Sequence, residues 1–228
     1  MSDEHTFDRS PGEIEASEER LRAEASSFRA TARKDGAEAA VAEIALPREE
    51  RKRSVELAGD EYAHVYRFVS GVAGDSVKSC ITALQTWSRL EPGCDITIVF
   101  TSPGGDIISG MALFDFLLEL REKGHRITAV ARGYAASMAG ILLQAADHRV
   151  IGSQAWLLIH EASFHAAGSM GDVEDTVEWI KRVQERILDV FAARSSMSKA
   201  QIRRRWTRRD WWLSADDALK HGFVDEIR

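Results

Sequence analysis

Three stretches of this sequence hold residue types that nucleophilic hydrolysis uses together. Ser137 lies in Gly133-Tyr134-Ala135-Ala136-Ser137-Met138-Ala139, between a strand-like run and an apolar run that reads as a helix. Small residues on both sides would let a substrate backbone approach. The helix N-terminus would offer free N–H groups and a partial positive charge to an oxyanion. The same position also suits a serine that only caps the helix. His160 ends the apolar run Ala155-Trp156-Leu157-Leu158-Ile159, where a satisfied structural histidine is equally readable, and His165 competes with it five residues on. Asp210 stands in Arg209-Asp210-Trp211-Trp212, where an acid can be a turn residue or a cap. A serine nucleophile, a histidine base and an orienting acid form a working set when they meet in space. None of the three stretches alone decides between chemistry and structure.

Other chemistries have weaker footing. Gly105 and Gly110 carry the glycine spacing of a phosphate loop, but Met111 occupies the place of its lysine, so this chain is not expected to hydrolyse ATP. No Gly-x-Ser-x-Gly elbow is present. The seven histidines show no close spacing with acids that would mark a zinc site, and no metal or other cofactor is implied. The net charge of −6 argues against a nucleic-acid partner, the cluster Arg203, Arg204, Arg205, Arg208 and Arg209 being the local exception. Two cysteines, Cys80 and Cys94, are too few for a disulfide framework and read as buried thiols in a reducing compartment. The opening MSDEHTFDRS lacks the apolar centre of a secretory signal, and no apolar run reaches membrane-spanning length. The expected location is cytoplasmic, with no membrane partner.

The elements that must position the three residues fall in the second part of the chain. Residues 1–58 are rich in Glu, Arg, Ala and Ser, and read as a charged, flexible or conditionally helical arm that ends near Pro47 and the charged run that follows. Residues 59–228 read as one α/β domain. Strands are expected at His64–Val69, Asp95–Thr101, Arg126–Ala131, Arg149–Ile151 and Ala155–Ile159. Helices are expected at Asp75–Leu90, with Asp75 as N-cap, and at Ile108–Lys123, Met138–Ala146, Asp172–Arg194, Ser198–Trp206 and Ser214–His221. Strand–helix alternation implies a largely parallel sheet.

Read in order, these segments resemble the proteolytic subunit of the Clp protease (ClpP) family. The resemblance is carried by Ser102-Pro103-Gly104-Gly105 after a strand, Ala135-Ala136-Ser137-Met138, Ile159-His160, and Arg209-Asp210-Trp211-Trp212-Leu213-Ser214-Ala215 with Gly222-Phe223-Val224-Asp225 behind it. It covers about Val65 to Ile227, with 23 residues from Ser137 to His160 and 50 from there to Asp210. It implies an α/β, crotonase-like fold of repeated ββα units with a projecting handle, here Phe164 to about Arg194, preceded by a glycine-rich strand at Gly168–Gly171. It implies a serine endopeptidase acting on unfolded polypeptides inside an oligomeric chamber, through Ser137, His160 and Asp210. The N–H groups of Gly105 and Met138 would form the oxyanion hole, Gly105 because it has no side chain to block the carbonyl. Substrate would lie extended between Gly105-Asp106-Ile107 and Ser163-Phe164. The implied partners are polypeptide substrates, copies of the same chain in heptameric rings that stack as a tetradecamer, and a separate ATP-dependent unfoldase.

Some positions depart from the family pattern. His160-Glu161-Ala162 replaces His-Gln-Pro, Met138-Ala139-Gly140 replaces Met-Gly-Ala, and Arg208 replaces an acid that helps a contact between rings. Thr97 and Val99 stand where aromatics usually form the unfoldase pocket, and residues 1–58 replace the axial loop. A divergent or phage-type member fits this pattern. Rival readings are an inactive ring subunit and a crotonase-fold activity on acyl-CoA.

Overall fold

The computed structural model describes residues 11–228. It divides into two units, 11–59 and 60–228 as described. The first unit is one helix, α1 (Pro11–Leu57). Residues 1–10 of the expected arm lie outside the described residues. The helix continues past Pro47, where the arm was expected to end, because flanking Ala, Glu, Arg and Lys are strong helix formers. Leu21, Phe28, Val41 and Val55 on it are exposed. Pairs such as Arg22–Glu18 and Lys34–Glu38 join successive turns.

The second unit holds a seven-stranded sheet with β1 (Val65–Phe68), β2 (Asp95–Ser102), β3 (Arg126–Ala136), β4 (His148–Ile151), β5 (Trp156–Ile159), β6 (Trp211–Leu213) and β7 (Glu226–Ile227). The main path runs β1-β2-β3-β4-β7, all parallel. Strand β3 is longer than the apolar run Arg126–Ala131 suggested. Its first half pairs with β4, and its second half, beyond Gly133 at φ 68°, pairs with β5 at Tyr134↔Trp156 through Ala136↔Leu158. Strand β6 then closes on β5 as the one antiparallel pair among the described strands.

Helices α2 (Gly74–Leu90), α3 (Ile107–Glu122), α4 (Met138–Leu143), α5 (Met170–Ala193), α6 (Lys199–Trp206) and α7 (Ala215–Lys220) accompany the sheet. Val77, Cys80, Leu84 and Trp87 form the buried stripe of α2 at helical spacing. Its N-cap is Ala73, not Asp75. Ser76 reaches back to the Ala73 N–H at 3.0 Å, and Asp75 sits in the first turn, where a carboxylate suits the helix dipole. Gly168–Gly171 is not a strand. Ser169 and Asp172 form a reciprocal cap there and start α5. The first buried side chain of α5 is Ile180, after which Ile187, Leu188 and Phe191 join the core. On the same helix Trp179 is exposed, while Val183 and Val190 are partly buried against the core.

The core runs from Phe68 and Phe100 through Ile96, Ile98, Leu113, Leu117 and Ile127 to Phe191 and Phe223. Each large apolar side chain fully removed from water contributes about 1.5–3 kcal/mol before conformational entropy is counted. Buried Arg149 ties the C-terminal end to this core. Its guanidinium donates to both Asp225 oxygens, at 3.0 and 2.5 Å, and to Gln144 Oε1 at 2.7 Å.

Candidate active site

The C-terminal ends of parallel β2, β3 and β5 lie together because their registers align, Ser102 with Ala135 and Ala136 with Leu158. The loops that leave these ends therefore meet, which is where α/β sheets place ligands. From β2 comes Ser102-Pro103-Gly104-Gly105, from β3 comes Ser137, and from β5 comes His160.

Ser137 is the N-cap of α4, yet its side chain makes no capping hydrogen bond. Its backbone sits at φ 54°, ψ −122°, a conformation that costs a non-glycine residue roughly 1–3 kcal/mol. Surrounding bonds hold it there: the Ser137 N–H donates to Leu158 O at 2.9 Å, and its carbonyl accepts from Ile141 N–H at 3.3 Å. Ser137 lines a pocket together with Ile107, Met138, Ile141, Ile159, His160, Ala162, Ile187 and Phe191. His165 is not among these residues.

His160 and Asp210 meet through strand register. Antiparallel β5 and β6 pair Ile159 with Trp211, so the next residue of one faces the preceding residue of the other. His160 Nδ1 lies 3.4 Å from Asp210 Oδ1. The histidine side chain is 26% exposed and the aspartate 63%. The aromatic after Asp210 is anchored: Trp211 packs edge-on against His221 and Phe223, with the Arg205 guanidinium 5.6 Å from its ring centroid.

A Cβ on Gly105 would lie 2.2 Å from Val72 O, because Val72 and Gly105 form an isolated parallel bridge. In that bridge Val72 N–H donates to Gly104 O at 2.8 Å and Asp106 N–H donates to Val72 O at 2.8 Å. The alternation of extended backbone then turns the N–H of Gly105 away from Val72. Gly104, at φ 84°, presses on the Ser137 turn: a Cβ there would be 2.5 Å from Ala136 O, 2.7 Å from Ser137 Cβ and 2.8 Å from Met138 N. Gly110 likewise makes room for the Met138 side chain, which explains the glycine left over from the failed phosphate-loop pattern.

Of the residues expected to line the substrate path, Ile107 borders the Ser137 pocket, and Ser163 borders a second cleft with His160, Glu161 and Asp210. The Asp106 side chain is occupied as the cap of α3, accepting from Ser109 N–H at 2.7 Å and Ser109 Oγ at 2.6 Å. Those bonds lower its carboxyl below the ordinary range. Phe164 is 46% exposed. Sequence reasoning missed Gly104 and Val72; the Ser-Pro-Gly-Gly turn was the available signal, since two glycines in a row mark two close backbone approaches.

A largely parallel sheet whose strand ends gather a serine at a helix start, a histidine and a carboxylate defines a mixed α/β protein of the ClpP type. The Clp protease family model matches residues 63–228. The ATP-dependent Clp protease proteolytic subunit 3 of Streptomyces avermitilis is 30% identical over 162 residues, 70% of this chain and 72% of its own length. Proteolytic subunit 1 of Streptomyces coelicolor gives the same identity and shares. The ATP-dependent Clp protease proteolytic subunit of Bacteroides fragilis is 29% identical over 142 residues, 60% of this chain and 66% of its own. The chain belongs to the Clp protease family. Membership places it among the peptidases. Among the described residues, no helix is long and apolar enough to cross a membrane.

Proposed function

We propose that this protein is a serine endopeptidase that cuts unfolded polypeptides through Ser137, His160 and Asp210. The observation that carries the reading is the convergence of an uncapped serine in a strained turn, a histidine in the same pocket, and a carboxylate 3.4 Å from that histidine. In this scheme His160 accepts the Ser137 proton as the oxygen attacks the peptide carbonyl, then returns it to the leaving amine. Asp210 holds the tautomer with Nδ1–H toward itself and stabilises the imidazolium. The N–H groups of Gly105 and Met138 receive the oxyanion. Met138 is the first residue of α4, where helix N–H groups lack intrahelical partners. One such donor is worth roughly 2.7–4 kcal/mol in the transition state.

The substrate chain runs extended between Gly105-Asp106-Ile107 and Ser163-Phe164, so that backbone bonds carry much of the binding. The protein works in the cytoplasm as a homo-oligomer of heptameric rings, supplied by a separate ATP-dependent unfoldase. Relatives described as proteolytic subunits of an ATP-dependent protease support work as part of an assembly with an ATP-dependent partner. Residues 1–58 form an arm for assembly or docking. The test is cleavage of an unstructured fluorescent polypeptide by the purified full chain. Wild type is expected to cut and Ser137→Ala to lose all but background. Equal rates in the two would refute the serine mechanism.

A further inference from the structure

One contact beside the triad has no role in the scheme above, although it joins the segments that carry two of the three residues. Glu161 follows His160, and its Oε2 accepts the backbone N–H of Arg208 at 2.8 Å. Arg208 lies two residues before Asp210 and adopts φ 54°, a left-handed turn that residues with a Cβ avoid. Arg209 N–H donates to Trp206 O at 3.0 Å, and the chain then enters β6 at Trp211. Asp210 itself is weakly held through its own side chain: it is 63% exposed, and among the described residues His160 is its one ion-pair partner. Its place is therefore set by the backbone on either side. On the far side that is the β5–β6 pairing, and on the near side it is the Arg208 turn.

The charged groups around Glu161 are His160, Arg208, Arg209 and Asp210, which share with it a cleft of about 480 Å³. A carboxylate on a backbone N–H is among the stronger hydrogen bonds available to a turn. We infer that Glu161 is a positioning residue: by holding Arg208 in its left-handed turn, it fixes Asp210 against His160. The inference rests on the serine-peptidase reading. Reach, more than charge, is what the contact requires. Gln at 161 keeps an acceptor at the same distance, whereas Asp keeps the charge but falls one methylene short.

The experiment compares wild type, Glu161→Gln and Glu161→Asp in the full chain, each checked for the same assembly size. It measures kcat and KM on an unstructured peptide. Glu161→Gln should lose no more than about threefold in kcat, since its acceptor remains. Glu161→Asp should lose about tenfold to a hundredfold with KM little changed. Aspartate equal to or better than glutamine, or a loss in Glu161→Asp that falls on KM with kcat unchanged, would overturn the inference alone. Failure of an activated-serine probe to label wild-type Ser137 would overturn the peptidase reading, and this inference with it.

Discussion

Gly104→Ala tests the glycine that crowds the Ser137 turn. The new Cβ would stand 2.5 Å from Ala136 O, 2.7 Å from Ser137 Cβ and 2.8 Å from Met138 N, all on the turn that carries Ser137. Those atoms are backbone or fixed to it, so the turn or the glycine loop must retreat by about 0.7 Å or more to reach ordinary contact. Displacement on that scale costs a catalytic site about a hundredfold in rate. The φ of 84° adds roughly 1–2 kcal/mol of strain for any residue with a Cβ, and overpacking adds roughly 1–3 kcal/mol. For a domain of this size each kcal/mol lowers Tm by about 2–4 °C, so a fall of roughly 5–15 °C is expected. Gly124→Ala is the control. Gly124 has φ 91° with nothing within 4 Å of its Cβ position, so it carries the strain without the collision. The assay pairs Tm with kcat/KM on an unstructured peptide. Gly124→Ala should lose stability and keep its rate, while Gly104→Ala should lose both. Matching behaviour of the two variants would refute the claim that Gly104 sets the place of the Ser137 turn.

Asp210→Asn should lower kcat by about 10²–10⁴ with KM little changed, the lower end being favoured by the exposure of the carboxylate; a loss under tenfold would remove Asp210 from the mechanism. Arg149→Ala removes a buried guanidinium together with its bonds to Asp225, Gln144 and Arg194 O, and should destabilise by about 2–4 kcal/mol in chemical unfolding. Burial raises the Asp225 carboxyl, but the hydrogen bonds and charge of Arg149, with Arg194 nearby, outweigh it and hold the group below its ordinary value. Hydrogen bonds from Arg228 and then His148 hold Glu226 at about 2, against an ordinary 4.5. The unfolded chain therefore binds this proton at higher pH than the folded one, so its contribution is present above 4.5 and is lost as pH falls toward 2. A Tm difference between wild type and Glu226→Gln at pH 6 should shrink across that window. Cys80 and Cys94 are buried, and burial pushes both thiols up, so the native protein should react with a thiol reagent only as fast as it unfolds, as timed by absorbance.

The fold was legible where periodicity is strong. The stripe on α2 and the β-branched run of β2 identify themselves, because helical and extended burial leave different spacings. What escaped depended on partners distant in sequence. Arg132 and Gly133 interrupt the apolar run of β3, yet the strand continues because β5 supplies new pairing there. Strand β6 has only three residues, and its strand character comes from pairing Trp211, Trp212 and Leu213 with β5. For the candidate site, the position of Ser137 before a helix and of His160 after a strand could be read locally. The approach of Asp210 to His160 could not, since it follows from the Ile159↔Trp211 register. Glu161 and Arg208 were visible only as two separate departures from a pattern; nothing in their spacing announced that one accepts the other's backbone N–H.

The most direct test of the central claim is labelling of the purified full chain with a fluorophosphonate probe, followed by peptide mapping, with Ser137→Ala alongside and assembly size measured by light scattering. The account predicts label on the peptide containing Ser137 in the assembled wild type and none in the variant. An assembled ring that takes up no label, or takes it up equally in Ser137→Ala, would contradict it.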